Sequence, residues 1–260
     1  MRKALVVLEK EWLDLRLQRG LLLATLLLPP GLTALAVAGF FAVGRITGPN
    51  TSTGGLPLPA EFQALTAVEL GQALVGRQFS TLFLLLPVFV PSVIAAYSIV
   101  GEKRDRTLEP LLATPIETWQ LLLGKALASL VPATIVTLGS AAVFVGGVFA
   151  FAVSPRVPPV VVTPGWIVTV IVDAPLLAAI GIALIVVVSS RVNDPRSAQQ
   201  ITAVLIVPVL ALLFGQLAGV VVLGPAFALV IGIVLAALAA LALWGATRLF
   251  QREAILTRWR

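Results

Sequence analysis

The chain alternates long apolar runs with short charged or turn-bearing stretches, and the runs share a characteristic length. Those at about 21–43, 79–100, 115–148, 164–189, 195–223 and 225–250 each reach the roughly 20 residues that a helix needs to cross the hydrocarbon core of a bilayer. In lipid the backbone must satisfy its own hydrogen bonds, so such runs are read as helices. The pattern predicts an all-α, polytopic membrane protein with six transmembrane helices in one domain, 21–250. Ahead of it, residues 1–20 place Leu5, Leu8, Trp12 and Leu15 at helical spacing, with Arg2, Lys3, Lys10, Arg16 and Arg19 available to a polar side. This is the pattern of an amphipathic helix lying at the membrane interface, and a helix packed on a partner protein would show it too. Glu9, Lys10, Glu11 and Asp14 interrupt any apolar core a signal peptide would need.

Several polar or helix-breaking residues fall inside or beside the runs. Pro29-Pro30-Gly31 in the first span removes two N–H donors and predicts a kink or local unwinding. Pro87 and Pro91 punctuate the second span. Between the first two spans the chain starts as loop, and Phe62, Leu65, Val68 and Leu74 suggest an amphipathic helix on the outer face. A Pro-rich loop, 154–162, precedes a helix start at Thr163-Pro164. Asp173, the only acid inside a span, has two readings: a polar path or cation site, or a cap near the outer surface for a helix beginning at Ala174-Pro175. Asp194-Pro195 starts the fifth span, which carries the intramembrane Gln216. The sixth, rich in Ala and Gly, suits close helix packing.

Charge then orients the bundle. With the N-terminus inside, fifteen of the eighteen Lys and Arg residues fall on the cytoplasmic side, leaving Arg45, Arg77 and Arg156 outside. That bias predicts both termini in the cytoplasm, with 251–260 a basic tail. It also accounts for the net charge of +6 without nucleic acid. Composition agrees: 59% of the residues are hydrophobic and 12% charged, with a mean hydropathy of +1.05, far from soluble domains. The absence of His and Cys removes the usual metal ligands, the neutral-pH general base and the thiol nucleophile. Enzymatic chemistry in this chain is therefore not expected.

One cytoplasmic stretch stands out, 102–125, EKRDRTLEPLLATPIETWQLLLGK. Thr107 can cap a short helix over 108–113, with Glu109 in its first turn and Pro110 where a missing N–H is harmless. Leu108, Leu111 and Leu112 then form a small apolar face beside Lys103, Arg104 and Arg106. That face could dock in a partner or lie on the lipid surface. Thr114-Pro115-Ile116-Glu117 has capping-box spacing with proline first, which predicts that the third span starts here. Gly124-Lys125 lacks the preceding glycine and following hydroxyl of a phosphate-binding loop, and Lys125 reads as a snorkelling residue near the inner interface.

The stretch from Glu102 through Thr107-Leu108-Glu109, Leu111-Leu112-Ala113-Thr114-Pro115 and Gly124-Lys125 resembles the permease subunit of type-2 ATP-binding-cassette (ABC) exporters. The opening Lys10-Glu11, the Pro-containing first span and Ser189-Ser190-Arg191 leading to Ala198-Gln199-Gln200 are similar too. The resemblance implies that 108–113 is a coupling helix docking on a separate ATPase subunit through Glu102, Arg106, Thr107, Leu108, Glu109, Leu111, Leu112 and Pro115. It implies that 1–20 is the connecting helix beside that dock, and that two permeases work with two ATPases, which bind the ATP and Mg²⁺, so that this chain needs no cofactor of its own. Arg106 stands where many relatives have a small residue, and the connection between spans five and six is minimal. The reading is thus an export permease in the inner membrane of a prokaryote, with membrane lipid, an ABC ATPase and a second permease as partners. The scarcity of polar residues in the spans leans toward an apolar or amphiphilic cargo. Two alternatives remain open at this point: an ion-coupled carrier, for which Asp173 is the sole carboxylate candidate, and an ABC-driven scaffold that relays mechanical work.

Overall fold

A computed structural model describes residues 2–17, 19–46, 60–102, 116–189, 192, 194–217 and 224–249. In chain order the helices are α1 (Arg2–Leu17), α2 (Arg19–Ile46), α3 (Ala60–Gln63), α4 (Ala67–Leu82), α5 (Leu86–Ala96), α6 (Thr118–Phe151), α7 (Val157–Val161), α8 (Pro164–Val168), α9 (Ala174–Ser189), α10 (Pro195–Thr202), α11 (Ile206–Leu217) and α12 (Pro225–Leu249). Joined end to end where they are continuous, they make six helices long and apolar enough to cross a membrane: Leu27–Ile46, Ala67–Gly101, Trp119–Phe151, Pro164–Ser189, Pro195–Gln216 and Pro225–Ala246. The predicted all-α, six-span architecture is the observed one.

Proline explains three of the places where the helices change pitch. Short 3₁₀ turns at Phe83–Leu85 and Ala203–Leu205 and a wide π turn at Thr169–Asp173 each lie just before Pro87, Pro208 or Pro175. Each of these prolines withholds the N–H that the carbonyl four residues earlier would accept, so the ladder tightens or widens there. The Pro29-Pro30 pair does not unwind α2, contrary to one expected outcome: the helix runs on from Arg19 to Ile46. There the Thr33 hydroxyl donates to the Pro29 carbonyl at 2.8 Å.

Three boundaries differ from the sequence-based expectation. The second span begins at Ala67, not near 79, because Thr66 and Glu69 form a reciprocal capping box. Its first turns are buried, with Leu70, Gln72 and Ala73 inside, so Val68 and Leu74 belong to the span, while Phe62 sits on the separate one-turn α3. The third span begins at Thr118, later than 115, because Glu117 and Gln120 make the capping box. In the Pro-rich 154–162 stretch, α7 drives Val157 and Val161 into the bundle at 0% and 1% exposure.

Among the described residues two large cores and two smaller clusters, around Leu84, Val88, Leu177 and Val209 and around Val90, Ile94 and Ala133, hold the helices. The proximal core, on the side of α1, gathers Val7, Ile99, Val100, Leu121, Ile182, Ile185 and Val186. The distal core gathers Phe40, Phe62, Leu70, Phe83, Phe144, Val157, Val161 and Trp166. In it the Trp166 indole N–H donates to the Ser80 carbonyl at 2.9 Å, so the ring is buried with its polar atom satisfied. Outward the spans present large apolar side chains such as Leu35, Ile135, Val143, Val204, Phe214 and Ile233, a belt that only lipid or another apolar surface can cover.

Candidate functional site

The proximal end carries a buried ion cluster that the spacing of the sequence did not reveal. It starts from helix packing. Ala4, Val7 and Glu11 share one face of α1 and are buried at 4%, 3% and 3% exposure, while Leu5, Trp12 and Leu13 point away and remain exposed. The buried face meets α6 at Gly124, where a Cβ would fall 2.7 Å from the Val7 Cβ and 2.8 Å from the Ala4 carbonyl oxygen. Only a residue without a side chain allows α1 this close.

That approach delivers Glu11 to the next residue of α6. Lys125 is buried at 2% exposure, and its ammonium lies 2.5 Å from Glu11 Oε1 and 2.8 Å from Glu102 Oε2. It also donates to the carbonyl and hydroxyl of Ser98 at 3.0 and 3.1 Å, which the wide turn at Tyr97–Gly101 presents. Lys125 is therefore not a snorkelling residue. A carboxylate on each side and the Ser98 oxygens replace the water it would otherwise seek. Lys10 completes the arrangement: it binds Glu102 Oε1, Asp14 at 2.9 Å and Glu11 at 3.4 Å.

Glu102, the last described residue of the second span, and Lys125, in the second turn of the third, bracket the 103–115 segment. One cation thus ties both flanks of that segment to α1. Of the coupling residues read from the sequence, Glu102 joins this cluster. Arg106, Thr107, Leu108, Glu109, Leu111, Leu112 and Pro115 lie outside the described residues, as do the 251–260 tail, Ser190 and Arg191. Nearby, Asp194 caps α10, accepting from the Ser197 N–H at 3.1 Å, and Ala198 is fully buried in the proximal core.

Electrostatics set the protonation of the cluster. Burial opposes the charged form of Glu11, but the Lys125 charge and hydrogen bond, with Ser98 and Lys10, outweigh it and hold the carboxyl below its ordinary value of 4.5. For Lys10, likewise, burial works against the cation, and hydrogen bonds to Glu102 and Asp14 raise its pKa overall. A carboxyl depressed on folding contributes stability that is present above the unfolded value and lost as pH falls through the folded one. The thermal midpoint of the solubilised protein, compared with Glu11→Gln, should show a Glu11 contribution that is constant down to about 4.5 and declines below it. A contribution that grows on acidification would contradict the ion pairing.

The two intramembrane polar candidates fare differently. Gln216, half-buried, accepts a hydrogen bond from the Thr81 hydroxyl and so joins α11 to α4. Asp173 is not a helix cap: it closes the π turn, α9 follows without a break, and the carboxyl lies about 14 Å along the helix from Pro164. It is 1% exposed, and neither of its oxygens has a hydrogen-bond partner among the described residues. Gly232 of α12 makes room for it, since a Cβ there would come 2.9 Å from Asp173 Oδ1.

A third polar device went unread in the sequence. Gln72, fully buried, donates to the carbonyls of Phe40 and Phe151 at 3.1 and 2.8 Å and accepts from the Val153 N–H at 2.9 Å. It pins the distal ends of spans one and three to span two.

A six-span bundle with a helix clamped to both flanks of one charged connection narrows the family. Residues 5–228 match the family described as ABC-2 family transporter protein. The chain belongs to that family. As an ABC-2 transporter it is a permease subunit of an ABC transport system, a multi-pass membrane component of transport. The match takes in every residue of the ion cluster, begins just inside α1 and ends in the first turn of α12. No curated protein matches the chain.

Proposed function

We propose that this chain is the membrane-embedded half of an exporter powered by a separate ABC ATPase, and that the 103–115 segment is the part the ATPase grips. The observation that carries this reading is the Glu11–Lys125–Glu102 cluster. A push on a flexible connection would dissipate in the connection. A segment whose two flanks share one buried cation with α1 instead passes its displacement to α1 and to spans two and three together.

On this reading the ATPase binds the ATP and Mg²⁺ and closes on them, the 108–113 helix moves with it, and the spans tilt to alternate access. α1 acts as the connecting helix, its exposed apolar residues Leu5, Trp12 and Leu13 turned to the lipid interface. A second permease copy completes the transporter. The membrane is the inner membrane of a prokaryote, with the proximal end and both termini in the cytoplasm. Family membership supports the ATPase partnership, and the basic bias supports the orientation.

Leu108→Asp and Leu111→Asp test the dock directly. Each places a carboxylate where an apolar face has to be buried, at a cost of several kcal/mol. Both variants should insert and fold normally, while the ATPase activity that co-purifies with the permease from native membranes falls by about tenfold or more. Undiminished co-purification with both would overturn the docking assignment.

A further inference from the structure

α2 and α6 touch at one level and stand apart at the next. Gly147 permits the contact, since a Cβ there would fall 2.6 Å from a methyl of Val37. Gly139 and Gly146, on the same helix, meet nothing within 4 Å, although a glycine inside a helix costs about 1 kcal/mol relative to alanine. Contact between the helices does not explain them. They border an open groove of about 840 Å³ whose walls include Pro30, Val37, Phe41 and Val143. The volume falls in the usual range for small-molecule sites, and the walls are almost wholly apolar.

The two ends of the groove differ in chemistry. One lies at Pro30. The other, about 16 Å further along α2, is bounded by Phe41 and Phe151, set edge to face with centroids 5.3 Å apart. One turn beyond, the exposed Arg45 lays its guanidinium over the Phe41 ring at 5.1 Å. Arg45 is in the last turn of the first span, so the cation stands at the membrane interface. About 16 Å is also half of the roughly 30 Å hydrocarbon core. The groove is therefore one leaflet deep, apolar along its length, with a cation at its mouth.

We propose that this groove binds an acyl chain of an anionic membrane lipid, with the lipid phosphate against Arg45. The charge distribution favours this occupant over a second copy of the chain. Two copies facing each other here across a twofold axis along the membrane normal would bring Arg45 toward Arg45. The following residues, 47–59, contain no acid to separate them. Of the acids at this end, Glu61 pairs with Arg77 and Glu69 is held in the Thr66 cap. The site does not depend on ATPase coupling, so the test uses the permease alone.

The chain lacks cysteine, and Val143, 63% exposed on the groove wall, can be replaced by Cys and labelled with a single fluorophore. The full-length protein is placed in phosphatidylcholine vesicles containing brominated phosphatidylglycerol or, in parallel, brominated phosphatidylcholine. Phosphatidylglycerol should reach half-quenching at about a fivefold lower fraction, the effect of one arginine on one anionic headgroup. Arg45→Gln should erase the preference. Gly139→Leu with Gly146→Leu should weaken quenching by both lipids. A label at Ile233→Cys, on the exposed face of α12, should show no preference. Equal quenching by the two lipids at position 143, or a preference that survives Arg45→Gln, would overturn the proposal. So would protection from both lipids together with Val143→Cys cross-linking between copies, which would assign the face to a second permease.

Discussion

Lys125→Met should cost the permease about 3–5 kcal/mol, the usual loss when one partner of a buried ion pair is removed. The cost arises because Glu11 and Glu102, with side chains only 4% and 11% exposed, are left facing one another without the cation between them. Lys10 replaces it only in part: it approaches from the exposed side, is shared with Asp14 and Glu102, and reaches Glu11 only at 3.4 Å. Against a total stability of roughly 5–15 kcal/mol, such a loss should lower the thermal midpoint sharply in a fluorescence size-exclusion assay. The paired variant Glu11→Gln with Lys125→Met should recover much of it, because no uncompensated charge stays buried near α1. The recovered protein should still fall short in ATPase-driven transport, since the neutral pair packs without tying α1 to Glu102. A single variant as stable as the parent would show that the cluster is not formed in the membrane.

The cluster also shows where sequence reading stops. The six spans were legible because length and apolarity are properties of a contiguous window. The capping of span four by Thr163 was legible for the same reason, and its hydroxyl does accept from the Trp166 N–H at 3.2 Å. Lys125 was not, because a lone lysine near the end of an apolar helix has the same local signature whether it snorkels or pairs. Its partner Glu11 is on another helix, 114 positions earlier. Gly124, standing next to it, was the available signal: a glycine inside a helix can admit a close neighbour, and here what approaches is the face carrying Glu11. The second span was misplaced for a different reason. Phe62, Leu65, Val68 and Leu74 suggested an outer amphipathic helix, but Gln72 spends its polarity on backbone groups and Arg77 pairs with Glu61 while stacking 5.3 Å from the Phe62 ring. Hydropathy counts the polar residues but not the partners that satisfy them. Asp173 failed in the other direction, because Ala174-Pro175 offered a plausible local helix start and the π turn absorbed the proline instead.

Gln72→Leu should be the most damaging substitution at the distal end, and its partners say why. The amide spans a gap between three segments, and Leu fills the space without making any of the three hydrogen bonds. Phe40 sits inside α2, where its carbonyl retains a helical donor, so its loss is small. The Phe151 carbonyl and the Val153 N–H lie at the end of α6, beyond the regular ladder, in a part-buried setting, and each loses its partner at about 1 kcal/mol. The thermal midpoint should drop accordingly. Gln72→Glu separates this account from simple loss of packing. It keeps the volume and the acceptor for Val153 but turns a carboxylate toward two carbonyl oxygens, so it should be worse than Leu at neutral pH and improve on acidification, as protonation restores a donor. Were packing alone at stake, Glu would be the milder change and its effect would not depend on pH. Because Gln72 belongs to the distal layer and shares no partner with the proximal cluster, the stability losses of Gln72→Leu and Lys125→Met should add within about 0.5 kcal/mol. Strong coupling between them would mean that the two ends of the bundle move as one body.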